Sequence, residues 1–219
     1  MCGRFLLYSS PETLERTFGL DLGDKRPNLQ PRYNIAPTQD VAVIGVAQGR
    51  RGLAFMHWGL IPSWAEDRSM ASRMINARGE SVYQKPAFRS AFKARRCLIP
   101  ADGFYEWHAE NGAKQPYLIE PAAGGPMAFG GLFERWRDPA GGDVWSCTIV
   151  TTEASPDIAH LHPRMPFVIA PSDWDTWLTG EPDAARAVIG PAARATLRFR
   201  RVDKRVNNAK NDDPDLVAP

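Results

Sequence analysis

Nineteen prolines and eighteen glycines are spread along this chain of 219 residues rather than gathered into one stretch. Proline removes a ladder donor and breaks helix interiors, and glycine weakens both kinds of element. A chain punctuated this way folds into short elements joined by many turns, with no linker. Runs with strand character fall at 2–8, 41–47, 53–59, 97–100, 103–108, 117–120, 127–133, 144–151, 167–170 and 197–206. Glycine-bearing turns at 48–52 and 110–113 join neighbouring runs as hairpins. Helical signals are few. Ser10 before Pro11 starts a helix over 12–18, Ser172 or Asp173 caps one over 174–178, and 80–84, 184–188 and 192–197 complete the set. Strands and helices do not alternate, which argues against a doubly wound parallel sheet. The pattern predicts an α+β fold: one domain over 1–219, built on a largely antiparallel, barrel-like β-sheet with short peripheral helices. The last few residues are expected to form a flexible tail.

No apolar run approaches the ~18 residues of a membrane span. The opening MCGRF lacks the basic, apolar and small-residue stages of a signal peptide. Cys2, Cys97 and Cys147 are odd in number and far apart, unlike a disulfide framework, so a reducing, cytoplasmic setting is expected. The net charge of +2 conceals two basic segments. Residues 68–100 carry eight basic side chains against Glu80, and 194–210 carry seven against Asp203, which leaves −11 for the rest of the chain. Two such segments read either as solvated surface or as one anion-binding face, and the aromatic residues around the first suit the stacking of single-stranded bases.

Several residues have the chemistry of a site. Methionine is normally removed before a small second residue, so the mature chain is expected to start at Cys2. An N-terminal cysteine presents an α-amine and a thiol on adjacent carbons; the amine condenses with an aldehyde, and the thiol closes intramolecularly to a five-membered thiazolidine. The other reading of Cys2 is a small residue of the first strand, and position alone leaves both open. Glu106, in GFYEWH, shares a strand face with Phe104 and His108. Framed by aromatics it suits a general acid or base, although a surface glutamate is the commoner case. His160 and His162 form an H-x-H pair, but without C-x-x-C or H-x-x-x-H spacing no metal is expected, and a single histidine as proton donor fits better. Arg164 offers a planar fork for phosphate. Asn76 and Arg78, in INARGE, suit a sugar hydroxyl or carbonyl and a phosphate, although for so short a motif alone a loop role is the default. Trp58 and Trp64, around Pro62, read either as core plus turn or as a wedge and stacking platform.

Together these segments resemble the SOS-response-associated peptidase family of abasic-site processing proteins. The blocks, in order, are MCGRF, YNIAPTQ at 33–39, WGLIPSWA at 58–65, INARGE at 75–80, F-x-x-A-F at 88–92, RRCLIPADGFYEW at 95–107, HPRMP at 162–166 and RVNNAKNDDPDL at 205–216. The resemblance implies a sensor of abasic sites in single-stranded DNA that links itself covalently through Cys2, with Asn76, Glu106 and His162 as the other active-site residues. Arg4, Arg78 and Arg164 are the implied phosphate contacts, while Pro37, Trp58 and Trp64 shape the DNA path at a single-strand/double-strand junction. No cofactor and no metal are implied, and the chain is expected to act as a cytoplasmic monomer, at the nucleoid when bound to DNA. Strand cleavage of the abasic-lyase type is the implied side reaction, and peptidase activity is limited to removal of Met1. The rival readings are an N-terminal-nucleophile glutamine amidohydrolase and a non-covalent single-stranded DNA-binding module.

Overall fold

The computed structural model describes residues 2–23, 28–190 and 196–218. Twelve strands are present among them: β1 (Phe5–Leu7), β2 (Arg32–Ile35), β3 (Asp40–Ala47), β4 (Arg50–Trp58), β5 (Asn76–Arg78), β6 (Arg96–Ala101), β7 (Gly103–Glu110), β8 (Ala113–Pro121), β9 (Met127–Arg137), β10 (Asp143–Glu153), β11 (Arg164–Pro166) and β12 (Leu197–Arg201). Four short helices accompany them: α1 (Pro11–Phe18), α2 (Arg89–Ala94), α3 (Trp174–Thr179) and α4 (Pro182–Ala187). The barrel-like sheet is a closed barrel, in which β10, β4, β3, β6 and β9 pair in turn and β9 returns to β10. Closure removes the free edges of these strands. A second sheet, not separated out in the sequence reading, runs β12-β8-β7-β1-β2 and is antiparallel throughout. The barrel is antiparallel except where β10 runs parallel to β4 and, further along, to β5.

Side-chain alternation in the second sheet joins the two layers. Phe5 and Phe104, paired across β1 and β7, turn towards the barrel, where Phe5 meets Trp58 edge-on at 5.1 Å and both rings meet Phe129 at about 6 Å. Leu6 and Tyr105 point the other way, into a smaller cluster with Leu118, Val206 and Leu216. The C-terminal segment therefore packs on the outer face of that sheet. It is knitted there by Asn34, whose carboxamide nitrogen donates to the carbonyls of Val206, Asn208 and Asn211, and by Asp212, which accepts from the N–H groups of Tyr33 and Asn34.

The helix over 12–18 forms as expected: the Ser10 hydroxyl accepts from Thr13 N–H, Pro11 opens the first turn and Gly19, at φ 61°, ends it. The run 80–84 is not helical. Ser81 O accepts from the N–H groups of both Gln84 and Lys85 in one isolated turn, and Pro86 follows without an N–H to continue it. Neither Ser172 nor Asp173 caps α3, which instead continues a 3-10 turn over Pro171–Asp173. The strand expected at 167–170 lies slightly earlier, as β11, leaving only a bridge between Val168 and Phe129. The strand at 197–206 stops at Arg201, because Asp203 caps a 3-10 turn over Lys204–Asn207. The helix read at 192–197 lies mostly outside the described residues, and its last residue opens β12.

Gly59, immediately after β4, has φ 140°, and a Cβ there would lie 2.6 Å from the Ala71 carbonyl oxygen. G59A is therefore expected to cost about 2–3 kcal/mol in urea unfolding. G45A, where the added methyl meets nothing within 4 Å, is expected to change stability by less than about 0.5 kcal/mol.

Candidate active site at the second residue

The register of β1 on β7 brings the N-terminus into the molecule. Phe5 pairs with Phe104, and the Tyr105 N–H donates to Arg4 O at 2.9 Å. Continuing that antiparallel register carries Cys2 alongside Glu106 and Trp107. From the barrel side, β5 pairs parallel to β10 and places Asn76 opposite Ile149. Asn76 Nδ2 donates to the Cys2 carbonyl at 2.8 Å. His162 precedes β11, and its Nδ1 lies 4.0 Å from Glu106 Oε1. The structure thus gathers Cys2, Asn76, Glu106 and His162, which lie far apart in the chain.

Each group is tuned by its surroundings. Cys2 is fully buried, and burial, together with the nearby Glu106 charge, raises the pKa of its thiol well above the usual range. The thiol is therefore protonated at neutral pH. Glu106 shares the barrel-facing side of β7 with Phe104 and is 5% exposed. Burial raises its carboxyl pKa, and His162 partly opposes the rise. The other end of the Asn76 carboxamide, Oδ1, is buried without a hydrogen bond among the described residues, an acceptor left available beside Cys2. His162 Nδ1 lies 3.0 Å from the Arg164 N–H nitrogen and 2.9 Å from the Arg164 carbonyl oxygen.

The remaining residues fare unequally as DNA contacts. Arg78 is exposed on β5, Trp64 is 58% exposed and Pro37 is half-buried. Trp58 is not available for stacking: it is fully buried, and its indole N–H donates to Ile75 O. Arg4 is half-buried, donating to Asn34 Oδ1 and Val206 O at 2.8 Å each beneath the Trp107 ring. Arg164 is held by Glu80. In the basic segments, Arg68 and Arg95 pair with Asp138 and Glu134, and Arg198, Arg201 and Arg205 pair with Glu120, Glu110 and Asp213. Arg96 is buried against the carbonyls of Phe92, Lys93, Trp177 and Gly180.

His160 turns away from His162 and packs on Phe199 at 4.9 Å between ring centroids. Among the described residues no three His, Cys, Asp or Glu side chains converge as a metal site would require. Among them, too, no helix is long and apolar enough to cross a membrane. An apolar cavity of about 680 Å³, lined in part by Met127, Phe167, Trp174 and Ile189, lies apart from the four site residues.

Comparison with known proteins gives a consistent picture. The family model described as SOS response associated peptidase (SRAP) matches residues 1–209. The abasic site processing protein YoqW of Bacillus subtilis is 35% identical, with 99% of each chain covered. The abasic site processing protein HMCES of Xenopus tropicalis is 30% identical across the whole of this chain and 78% of its own. A solved structure from Bordetella bronchiseptica matches with a TM-score of 0.81 at 26% identity, over 92% of this chain and all of that one. Another, from Bacteroides thetaiotaomicron, has a TM-score of 0.88 at 21% identity, over 99% and 98%, and shows the likeness of fold.

The raised carboxyl pKa of Glu106 has a measurable consequence. Between the unfolded and folded pKa values the folded chain holds a proton that the unfolded chain has released, so this group's contribution to stability falls as pH rises through that interval. E106Q removes the loss. Urea midpoints are expected to match the parent near pH 4 and to exceed it at pH 7.

Proposed function

The chain belongs to the SOS response associated peptidase family, and from that premise we propose that it senses abasic sites in single-stranded DNA and captures them covalently through Cys2. The observation that carries this reading is the hydrogen bond from Asn76 to the Cys2 carbonyl, beside a buried carboxyl and an imidazole. It supports a reaction centred on the second residue, which becomes an α-amine once Met1 is removed.

An abasic deoxyribose is mostly a closed hemiacetal. In the proposed sequence His162 protonates O4′ as the C1′–O4′ bond breaks, while the C1′ hydroxyl gives its proton to water and becomes the aldehyde. The α-amine adds to C1′. Glu106 relays one proton from the nitrogen to the former carbonyl oxygen, giving the hydroxyl, and then the second, so water leaves and an imine remains. A buried, protonated thiol favours the amine as first nucleophile. The thiol then adds across the C=N bond: sulfur bonds to C1′ and its proton goes to nitrogen, which closes the thiazolidine. The imine also acidifies C2′ and opens the way to β-elimination, the lyase side reaction. Closure removes the imine and spares the strand, and Glu106 serves the reverse path. Asn76 Oδ1 is the acceptor for the amine or a sugar hydroxyl. Arg78, Trp64 and Pro37 line the DNA path, at a junction where duplex ends, with the protein acting as a monomer in the cytoplasm at the nucleoid. Peptidase activity is confined to removal of Met1.

Intact mass spectrometry before and after mixing with an abasic single strand tests both halves of the proposal. The expected masses are a chain lacking Met1 and a denaturation-resistant adduct formed with loss of one water. C2A forms no thiazolidine, and E106Q forms it at least about a hundredfold more slowly. Ammonia release from glutamine with no adduct would establish the amidohydrolase instead; salt-sensitive binding with no covalent product would leave only a binding module.

The contact residues separate in a second measurement. W64A is expected to weaken binding of the strand by about 1–3 kcal/mol without loss of stability. R78A lowers the salt dependence of binding by about one phosphate contact, whereas W58A costs about 3–5 kcal/mol of folding stability.

A further inference from the structure

β10 is flanked at its C-terminal half by the two short strands nearest the site. Thr151 pairs with Arg78 of β5 on one side and with Pro166 of β11 on the other. Just beyond these pairings Glu80 and Arg164 meet across β10, with Arg164 Nη1 on Glu80 Oε1 at 2.5 Å and Nη2 on Oε2 at 3.0 Å. Nη2 also donates to Thr151 O at 2.7 Å, the carbonyl that already accepts the Gly79 N–H at 2.9 Å. Two parallel bonds to a carboxylate fix the plane of a guanidinium as well as its position. Arg164 is mostly covered, with a side chain 18% exposed, while Glu80 reaches it from the surface at 52%.

The clamp bears on both halves of the site. Glu80 lies four residues after Asn76, just past the end of β5, and Arg164 supplies the backbone N–H and C=O that face His162 Nδ1. We infer that Glu80 is a positioning residue: by clamping Arg164 it fixes the spacing between β5, which carries Asn76, and β11, which follows His162, and it holds the imidazole through the Arg164 backbone. Glu80 acts through Arg164 and is not itself a catalytic residue. The assignment of the reaction rests on the function proposed above, whereas the effect on the imidazole does not.

Three measurements on E80Q, E80D, R164Q and E80Q/R164Q decide it: affinity for a strand carrying a tetrahydrofuran analogue without an aldehyde, the adduct rate at saturating abasic strand, and the ¹⁵N shifts of the His162 imidazole. E80Q is expected to slow the saturated rate about tenfold, since small misplacements in an active site are costly. Its affinity stays within about twofold of the parent, and E80D recovers most of the rate. The double variant is no slower than the slower single one, the mark of two residues acting as a unit. The His162 shifts in E80Q move away from the parent values while the urea midpoint shows the variant folded. A parental rate with unmoved shifts overturns the inference. So does tighter binding at an unchanged saturated rate, which would make Arg164 a phosphate contact that Glu80 merely holds in check. A parent chain that forms no adduct defeats the proposed function alone, and the His162 shifts still decide the role of Glu80.

Discussion

The pairing of Phe5 with Phe104 is the contact on which the rest of the site depends. It seats a three-residue strand between the barrel and the C-terminal segment and settles which way every neighbouring side chain points. Strand side chains alternate, so a slip of one residue would turn Phe5 away from Trp58 and Phe129 and put Leu6 in its place. Three aromatic rings in edge contact resist such a slip. The same register carries Cys2 to Glu106, so the hydrophobic core sets the geometry of the polar groups beside it.

Burial then divides the labour. The thiol and carboxyl lie where water cannot stabilise their charged forms, so both favour their protons. His162 is less covered, and its Nδ1 faces the N–H and the carbonyl of Arg164. Elsewhere in the chain ion pairs serve architecture: Glu120 with Arg198 and Glu134 with Arg95 tie distant segments together, and Asp213 with Arg205 holds the C-terminal segment locally.

What could be read in advance follows the range of the interaction responsible. Helix α1 was legible because Ser10, Pro11 and Gly19 act within a few residues of one another. The face of Glu106 was legible from the period-two rule, and the barrel from the density of turns between strand-like runs. β2 and β5 were not, because three or four residues without alternation become strands only through partners far away in the chain. Trp58 and Trp64 flank the same proline, yet one is sealed in the core and the other stands in water. Only the return of β10 beside β4 decides between them. The convergence of Asn76, Glu106 and His162 on Cys2 was carried by family resemblance and by no spacing rule.

Asn76 grips Cys2 by its carbonyl, on the far side of the residue from its nitrogen. An anchor placed there is indifferent to what the nitrogen carries. Peptide, free amine, imine and ring nitrogen all leave that carbonyl oxygen with the same lone pairs to offer. In the proposed reaction, the precursor and the product would thus share one mooring, and the scaffold would have no need to be rebuilt between them.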